Sequence, residues 1–471
     1  MTRQQRLVLA IAILASFVAF LDGSVVNVAL PAISDELGGG LSTQQWVVDA
    51  YLITLGALIL VAGSLSDVFG RVFVIRAGLW GFGLTSLLCA LAPTAEILII
   101  GRGLQGIAGA LLVPSSLALI MSAFRGAPQA KAIGSWTAWT SAAFIAGPII
   151  GGLFVDLLSW RFVFGINLIP IALTIILLVK VEHTGERDRS MTIDYAGALL
   201  AIAGVGGPVF ALIEQANFGW SSPVIWIPLV VGILAFAAFL WRQATAKQPM
   251  MPLALFTVRN FAVGNVATFF IYGALGMSGF ILVVFLQQTA GWGATLAGVA
   301  ALPVTVILML LSSYFGGLSG KFGPRLFMTI GPILAGIGHL LMLAVTAQVD
   351  YWWQLFPGIM LFGLGLSITV APLTSAILGA ISEKQAGIGS AVNNAIARIA
   401  GLLIVAMLGI IVVERLDVDG LHRALIVCAG LLFAGGVISG FGIQNNVKRA
   451  PHTAAAIAGA AAPGDPQDAV S

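Results

Sequence analysis

Polar and charged positions along this chain come in short clusters that separate long apolar runs. Uncharged runs of about 18 or more residues have the length to cross a bilayer as helices. Fourteen can be read: 7–30, 46–65, 73–93, 97–121, 132–154, 162–179, 195–213, 223–241, 261–286, 296–315, 326–346, 352–378, 386–413 and 421–441. The run after MTRQQR is too long for a signal peptide, lacks a small-residue cleavage site and is followed by further runs, so it reads as the first membrane helix. The expectation is an all-α integral membrane protein.

Composition agrees. The 471 residues are 59 % hydrophobic and 9 % charged, with a mean hydropathy of +1.04, against about 25 % charged residues in soluble domains. An ordinary water-soluble fold is excluded. Cys89 and Cys428 lie in apolar runs and read as buried free thiols. Four histidines without a Cys/His cluster argue against a metal centre, and no phosphate-loop pattern is present. A nucleophile–base constellation and a cytosolic output domain are also missing, which disfavours an enzyme or sensor. No cofactor is expected, nor is a nucleic-acid partner.

Charge placement gives orientation. Of the 22 Lys and Arg, seventeen fall in segments on the side of the N-terminus. Arg161, Arg415 and Arg423 fall on the other side, and Arg102 and Arg398 lie inside runs. This positive-inside asymmetry puts both termini in the cytoplasm. The inner segments Val181–Ile193 and Arg242–Asn260 could each hold a short interfacial helix. The Ala/Gly/Pro-rich tail after Gly442 reads as disordered.

The charges inside runs are the candidates for chemistry. Asp22 stands about two thirds of the way through the first run, where a carboxylate costs roughly 2.5–3.5 kcal/mol on insertion scales. Counted from the run ends, Asp22 and Arg102 lie at similar depth, as a pair would require. Arg102 would keep Asp22 ionised while burial opposes that, a balance that conformation can tip; a permanent structural ion pair is the other reading. Asp49 lies three residues inside the second run, as a second proton or cation site or as an interfacial, solvated acid. Glu214 reads as a helix-end charge, and His339 as a satisfied packing histidine. Arg398 sits one turn after Asn394 near the middle of the thirteenth run. Its partner must be an acid from elsewhere, a helix carbonyl end or an anionic substrate group. Among the aromatics, Trp46 reads as an interface anchor, and Trp136 and Trp139 are candidates for an apolar pocket.

A repeat is visible. GSLSDVFGR at 63–71 and GGLSGKFGP at 316–324 share five of nine positions, after the second and tenth runs. That offset of eight implies two six-helix halves with two helices inserted between them, the construction of many transporters.

These residues resemble the major facilitator superfamily, in particular its fourteen-helix drug:proton antiporter branch. GSLSDVFGR is similar to the motif between helices 2 and 3, matching at Gly63, Asp67, Gly70 and Arg71. LDGSVVNVALP at 21–31 resembles the helix 1 motif, carried by Asp22, Asn27 and Pro31. RGLQGIAGALLVPSSLALI at 102–120 resembles the helix 4 motif, and GPIIGG at 147–152 the end of the helix 5 antiporter motif, with Ala143 standing where a glycine is usual. WRFVFGIN at 160–167 and VNNAIARIAG at 392–401 resemble the same branch.

The resemblance implies a major facilitator fold of 6+2+6 helices. The halves would be 1–181 and 260–441, the inserted pair 182–259 and the tail 442–471. It implies a proton-driven exporter of amphipathic molecules or drugs in a bacterial cell membrane, working as a monomer among lipids by alternating access. Asp22, Asp49 and Arg102 would couple protons. Asn27, Gln105, Trp136, Trp139, Asn394 and Arg398 would meet substrate. Asp67, Gly70 and Arg71 would switch the inner gate, and Gly147, Pro148, Gly151 and Gly152 would let a bent helix 5 act as a hinge. The alternative is a dedicated exporter or flippase of a metabolite or lipid with an anionic head group, which Arg398 would suit.

Overall fold

The computed structural model of the protein describes residues 1–181, 193–382, 385–412 and 416–445. Each of the fourteen apolar runs is helical. In order they are α1 (Arg3–Leu37), α2 (Gly40–Phe69), α3 (Arg71–Ala90), α4 (Ala95–Ala123), α5 (Ala127–Leu157), α6 (Phe162–Leu178) and α7 (Tyr195–Phe218). Then come α8 (Pro223–Thr245), α9 (Arg259–Gln288), α10 (Ala294–Phe322), α11 (Pro324–Ala344), α12 (Tyr351–Leu378), α13 (Ala386–Ile411) and α14 (Val418–Gly442). All but α6 are long and apolar enough to span a bilayer; α6 is shorter and is interrupted at Ile166 and Asn167. The chain is a multi-pass membrane protein. The segment 182–192 and the tail from 446, where an interfacial helix and disorder were expected, lie outside the described residues. The segment Arg242–Asn260 holds a single short 3₁₀ turn, Leu253–Thr257.

Several helices overrun the apolar runs that marked them. α1 starts at a capping box, in which the Thr2 hydroxyl accepts from Gln5 N–H and the Gln5 side chain accepts from Thr2 N–H. It ends seven residues past its run, where Gly38 and Gly39 take φ of 82° and 81°, a backbone that side-chain-bearing residues avoid. α2 therefore begins at Gly40 rather than residue 46. Apolarity marks the part of a helix in lipid, whereas caps and glycines set its ends.

The first six and last six helices repeat one contact pattern. In the first set α1 packs on α4, α5 and α6, α2 and α3 pack on α4, and α3 touches α6. In the last set α9 packs on α12, α13 and α14, α10 and α11 pack on α12, and α11 touches α14. The two sets meet along two seams, α2 with α13 and α5 with α10, and through α1 against α9. α7 and α8 pack on each other, and α7 leans on both α2 and α13. The end of the bundle that carries the N-terminus is called the near end below, and the opposite one the far end.

Candidate functional site

Asp22 lies in the interior of the first set of helices. Its Oδ2 is 2.5 Å from a terminal nitrogen of Arg102, and its Oδ1 accepts from Gln105 Nε2 at 3.0 Å and Asn167 Nδ2 at 2.8 Å. Gln105 also donates to Ser86 Oγ at 2.9 Å and accepts from Arg102 at 2.6 Å. Arg102 Nε donates to the Val47 carbonyl, and its guanidinium lies 4.3 Å from the centre of the Tyr51 ring. Five helices thus supply one network: α1, α3, α4, α6 and, through Val47 and Tyr51, α2. Asp22, Gln105, Ser86 and Asn167 have no exposed surface and Arg102 has 2 %.

Asp22 and Arg102 do pair, as their depths in the sequence imply. Gln105, expected to meet substrate, instead spends both ends of its amide inside this network. It is sealed from any open surface in this arrangement. Asn167 and Ser86 had no assigned role. Asn167 closes the WRFVFGIN stretch at the break in α6, and that break turns its amide onto Asp22; only three-dimensional packing reveals this.

Asp49 overturns the reading of a solvated interfacial acid. Because α2 begins at Gly40, Asp49 is the tenth residue of the helix, with no exposed surface and no partner for either carboxyl oxygen. It belongs to the face of α2 that meets α13. One turn toward the far end, Gln45 Nε2 donates to the carbonyls of Val405 at 2.7 Å and Ala406 at 3.2 Å. One turn toward the near end, Ile53 packs with Leu402 and Ala406. Further on, a Cβ built on Gly56 would lie 3.6 Å from that of Arg398.

Arg398 is half-buried. Its Nε is shut away without a hydrogen-bond partner, so the acid or helix carbonyl expected to satisfy it is not in place. Asn394, on the same face one turn nearer the N-terminal end, is exposed and donates to Ser390 O. The α2/α13 seam is therefore in contact from Gln45 to Gly56, and Asn394 stands exposed.

The other named residues fall as follows. Asn27 is half-buried on α1. Trp136 packs into the core of the first set and donates to Ser16 Oγ at 3.0 Å, whereas Trp139 is 60 % exposed. Trp46 Nε1 donates to Glu214 at 2.7 Å, and Glu214 also accepts from Ser42 and Asn217. Glu214 is thus the polar tie between α7 and α2. Gly70, at φ 93°, forms the tight turn between α2 and α3, and Asp67 sits 3.8 Å from Arg71. Gly323 makes the equivalent turn in the second repeat at φ 83°.

The glycines of α5, expected to serve a hinge, form a contact surface in this arrangement, and the helix runs through Pro148. A side chain at Gly147 would strike Ser24, and one at Gly151 would strike Val25 and Val28, so both glycines seat α5 on α1. Gly152 lies against the backbone of Thr295, and the carbonyl of Pro148 lies against Gly298, both across the seam to α10. His339 is a satisfied packing histidine: Nε2 is 2.5 Å from Ser278 Oγ and Nδ1 is 3.0 Å from the Ala335 carbonyl.

This arrangement holds a charge pair dry and joins the two sets along α2 and α13. The chain is 33 % identical over 406 residues to a methylenomycin A resistance protein of Bacillus subtilis, covering 86 % of this chain and 87 % of that one. It is 33 % identical over 417 residues to the multidrug resistance protein Stp of Mycobacterium tuberculosis, covering 87 % and 76 %. Among solved structures, a bacterial homologue of the human lysosomal transporter Spinster, in an inward-facing and unoccupied conformation, aligns with a TM-score of 0.70 at 14 % identity over 94 % of this chain and 97 % of that one. A D-xylose–proton symporter aligns at 0.67 and 14 %, over 94 % and 98 %. The model of the Major Facilitator Superfamily matches residues 12–186 and 181–405, and the chain belongs to that superfamily.

Proposed function

We propose that the protein is a proton-coupled exporter of amphipathic, largely hydrophobic small molecules, of the fourteen-helix drug:proton branch, with both termini cytoplasmic. The relatives named for drug and antibiotic resistance support the cargo class. The proton gradient is the energy source, and no cofactor takes part. The halves 1–181 and 260–441 rock about the pair within 182–259, and a single chain suffices.

The observation that carries proton coupling is Asp49, a carboxyl with neither oxygen bonded at the closed stretch of the seam between the two sets. An ionised group buried without a partner costs several kcal/mol, so closure of the far end requires that Asp49 hold a proton. Asp22, by contrast, is fully paired, and its role is to hold Arg102 and through it α2. Arg398 and Asn394 mark the substrate side of the seam, and Asp67 with Arg71 the gate at the near end. Arg398 also favours the second reading, a metabolite or lipid carrying an anionic head group.

The test is substrate-induced proton release from purified protein in weak buffer, with lipophilic cations and then an anionic amphiphile. Cations should release protons from the wild type, and Asp49→Asn should abolish the signal. Binding of the anion alone, without proton release and lost in Arg398→Gln, would replace the drug reading with the anionic one. Asp67→Asn should stop flux and leave binding unchanged.

A further inference from the structure

Asp156, in the last turn of α5, makes a contact that no motif announced. Its Oδ1 accepts from the backbone N–H of Ala294 at 2.8 Å and its Oδ2 from that of Thr295 at 2.9 Å. These are the first two residues of α10, which belongs to the other set of six. The N-cap position of α10 is Gly293, which has no side chain to offer. A helix ordinarily caps itself with a residue of its own at that position. Here the capping carboxylate arrives from across the seam.

The contacts around it point the same way. Gly152 lies against the Thr295 backbone one turn below, Gly298 lies against the Pro148 carbonyl, and Gln287 on α9 donates to the Val28 carbonyl on α1 at 3.1 Å. Each joins the first set to the second, at the far end. Asp156 also rims a cavity of about 650 Å³ lined by Asp35, Gln287 and Trp292. Asp156 is exposed, so water can take over the two N–H groups when the seam parts. A contact that breaks onto water opens reversibly, which suits a gate.

We propose that Asp156 is the latch of the far gate, a positioning residue that holds α10 against α5 and so favours the far-closed state. The proposal rests on the reading that the two sets rock apart, and its test needs no substrate, so it stands or falls separately from the drug and proton assignments. Val28 is 1 % exposed and packs against Gly151 and Gly298, so Val28→Cys reports opening of this seam. The native Cys89 and Cys428 are both buried.

Labelling of the Val28→Cys protein in nanodiscs by a polar maleimide should be slow. Adding Asp156→Ala should speed it about five-fold, the shift that loss of a typical N-cap produces. The deciding variant adds Gly293→Ser, which caps α10 from within its own chain end. This restores the helix cap and leaves the two sets unlinked, so labelling should stay fast, and the restored cap secures folding. Unchanged labelling in Asp156→Ala would overturn the proposal. A return to the slow rate in the Gly293→Ser variant would also overturn it, because Asp156 would then be a structural cap and no latch.

Discussion

The two sets of six helices hold polar clusters at equivalent places, and the clusters differ in charge. In the first set Asp22 on α1 meets Gln105 on α4 and Asn167 on α6, and Gln105 ties in Ser86 on α3. In the last set Ser278 on α9 meets His339 on α11 and Cys428 on α14, with Phe362 on α12 edge-on to the imidazole at 4.6 Å. The same helices of the repeat supply each corner. The first cluster contains an ion pair, and the second contains no charged side chain. Duplicated packing thus fixes where polar groups can be sheltered and leaves their chemistry free. The first set holds a charge that must always be matched, whereas the second is a neutral anchor. The charges without a partner, or bonded across the two sets, lie elsewhere, on the seams, at Asp49, Arg398 and Asp156.

The largest effect should come from breaking the charged cluster. Arg102→Ala leaves Asp22 buried beside two amides with no counter-charge, and loss of one partner of a buried pair typically costs about 3–5 kcal/mol. Thermal unfolding in detergent should show a steep loss of stability or no folded protein. If Arg102→Ala were as stable as wild type, the contrast between the two clusters would collapse.

His339→Leu should cost less. It removes one neutral hydrogen-bonding ring and leaves Ser278 still bonded to the Ala274 carbonyl, so about 1–3 kcal/mol is expected. Transport should persist, and a loss of proton release in this variant would assign the second cluster an active role.

The smallest effect lies outside both sets. Asp194, before α7, accepts from Gly197 N–H at 2.8 Å and Gln243 at 3.1 Å and is 2.5 Å from Arg242 Nε on α8. Burial pushes its carboxyl up, but Gly197, Arg242 and Gln243 outweigh that and hold it below the ordinary carboxylate range. A carboxyl depressed in the folded state stabilises above its unfolded value of about 4 and loses that contribution as pH falls through the folded value. Melting followed from pH 6 downward should therefore show a decline below about pH 4 that is smaller in Asp194→Asn. A decline of equal size in the Asn variant would show that Asp194 contributes nothing to it.

Much of this was legible in the residues. Fourteen apolar runs became fourteen helices, because lipid forces every backbone polar group to bond within its own segment. Asp22 and Arg102 could be matched in depth because helix rise is constant at 1.5 Å per residue. The repeat at 63–71 and 316–324 announced two like halves before any contact was known. Depth within a run, however, misplaced Asp49. The run began at residue 46, while the helix began six residues earlier at a glycine turn that hydropathy does not register.

What the sequence determined by itself, then, is the solvent, the apolar helices, the repeat and the presence of charge at membrane depth. These depend on composition and on distance along one helix. Only the tertiary structure decided which charges are matched. It gave Asp22 three partners from two other helices, left Asp49 and Arg398 without any on a shared seam, made the α5 glycines a contact face, and put Asp156 on the end of a helix 138 residues away. Those outcomes depend on which faces of separate helices meet, and that is set by the packing of the whole bundle rather than by the neighbours of any one residue in the chain.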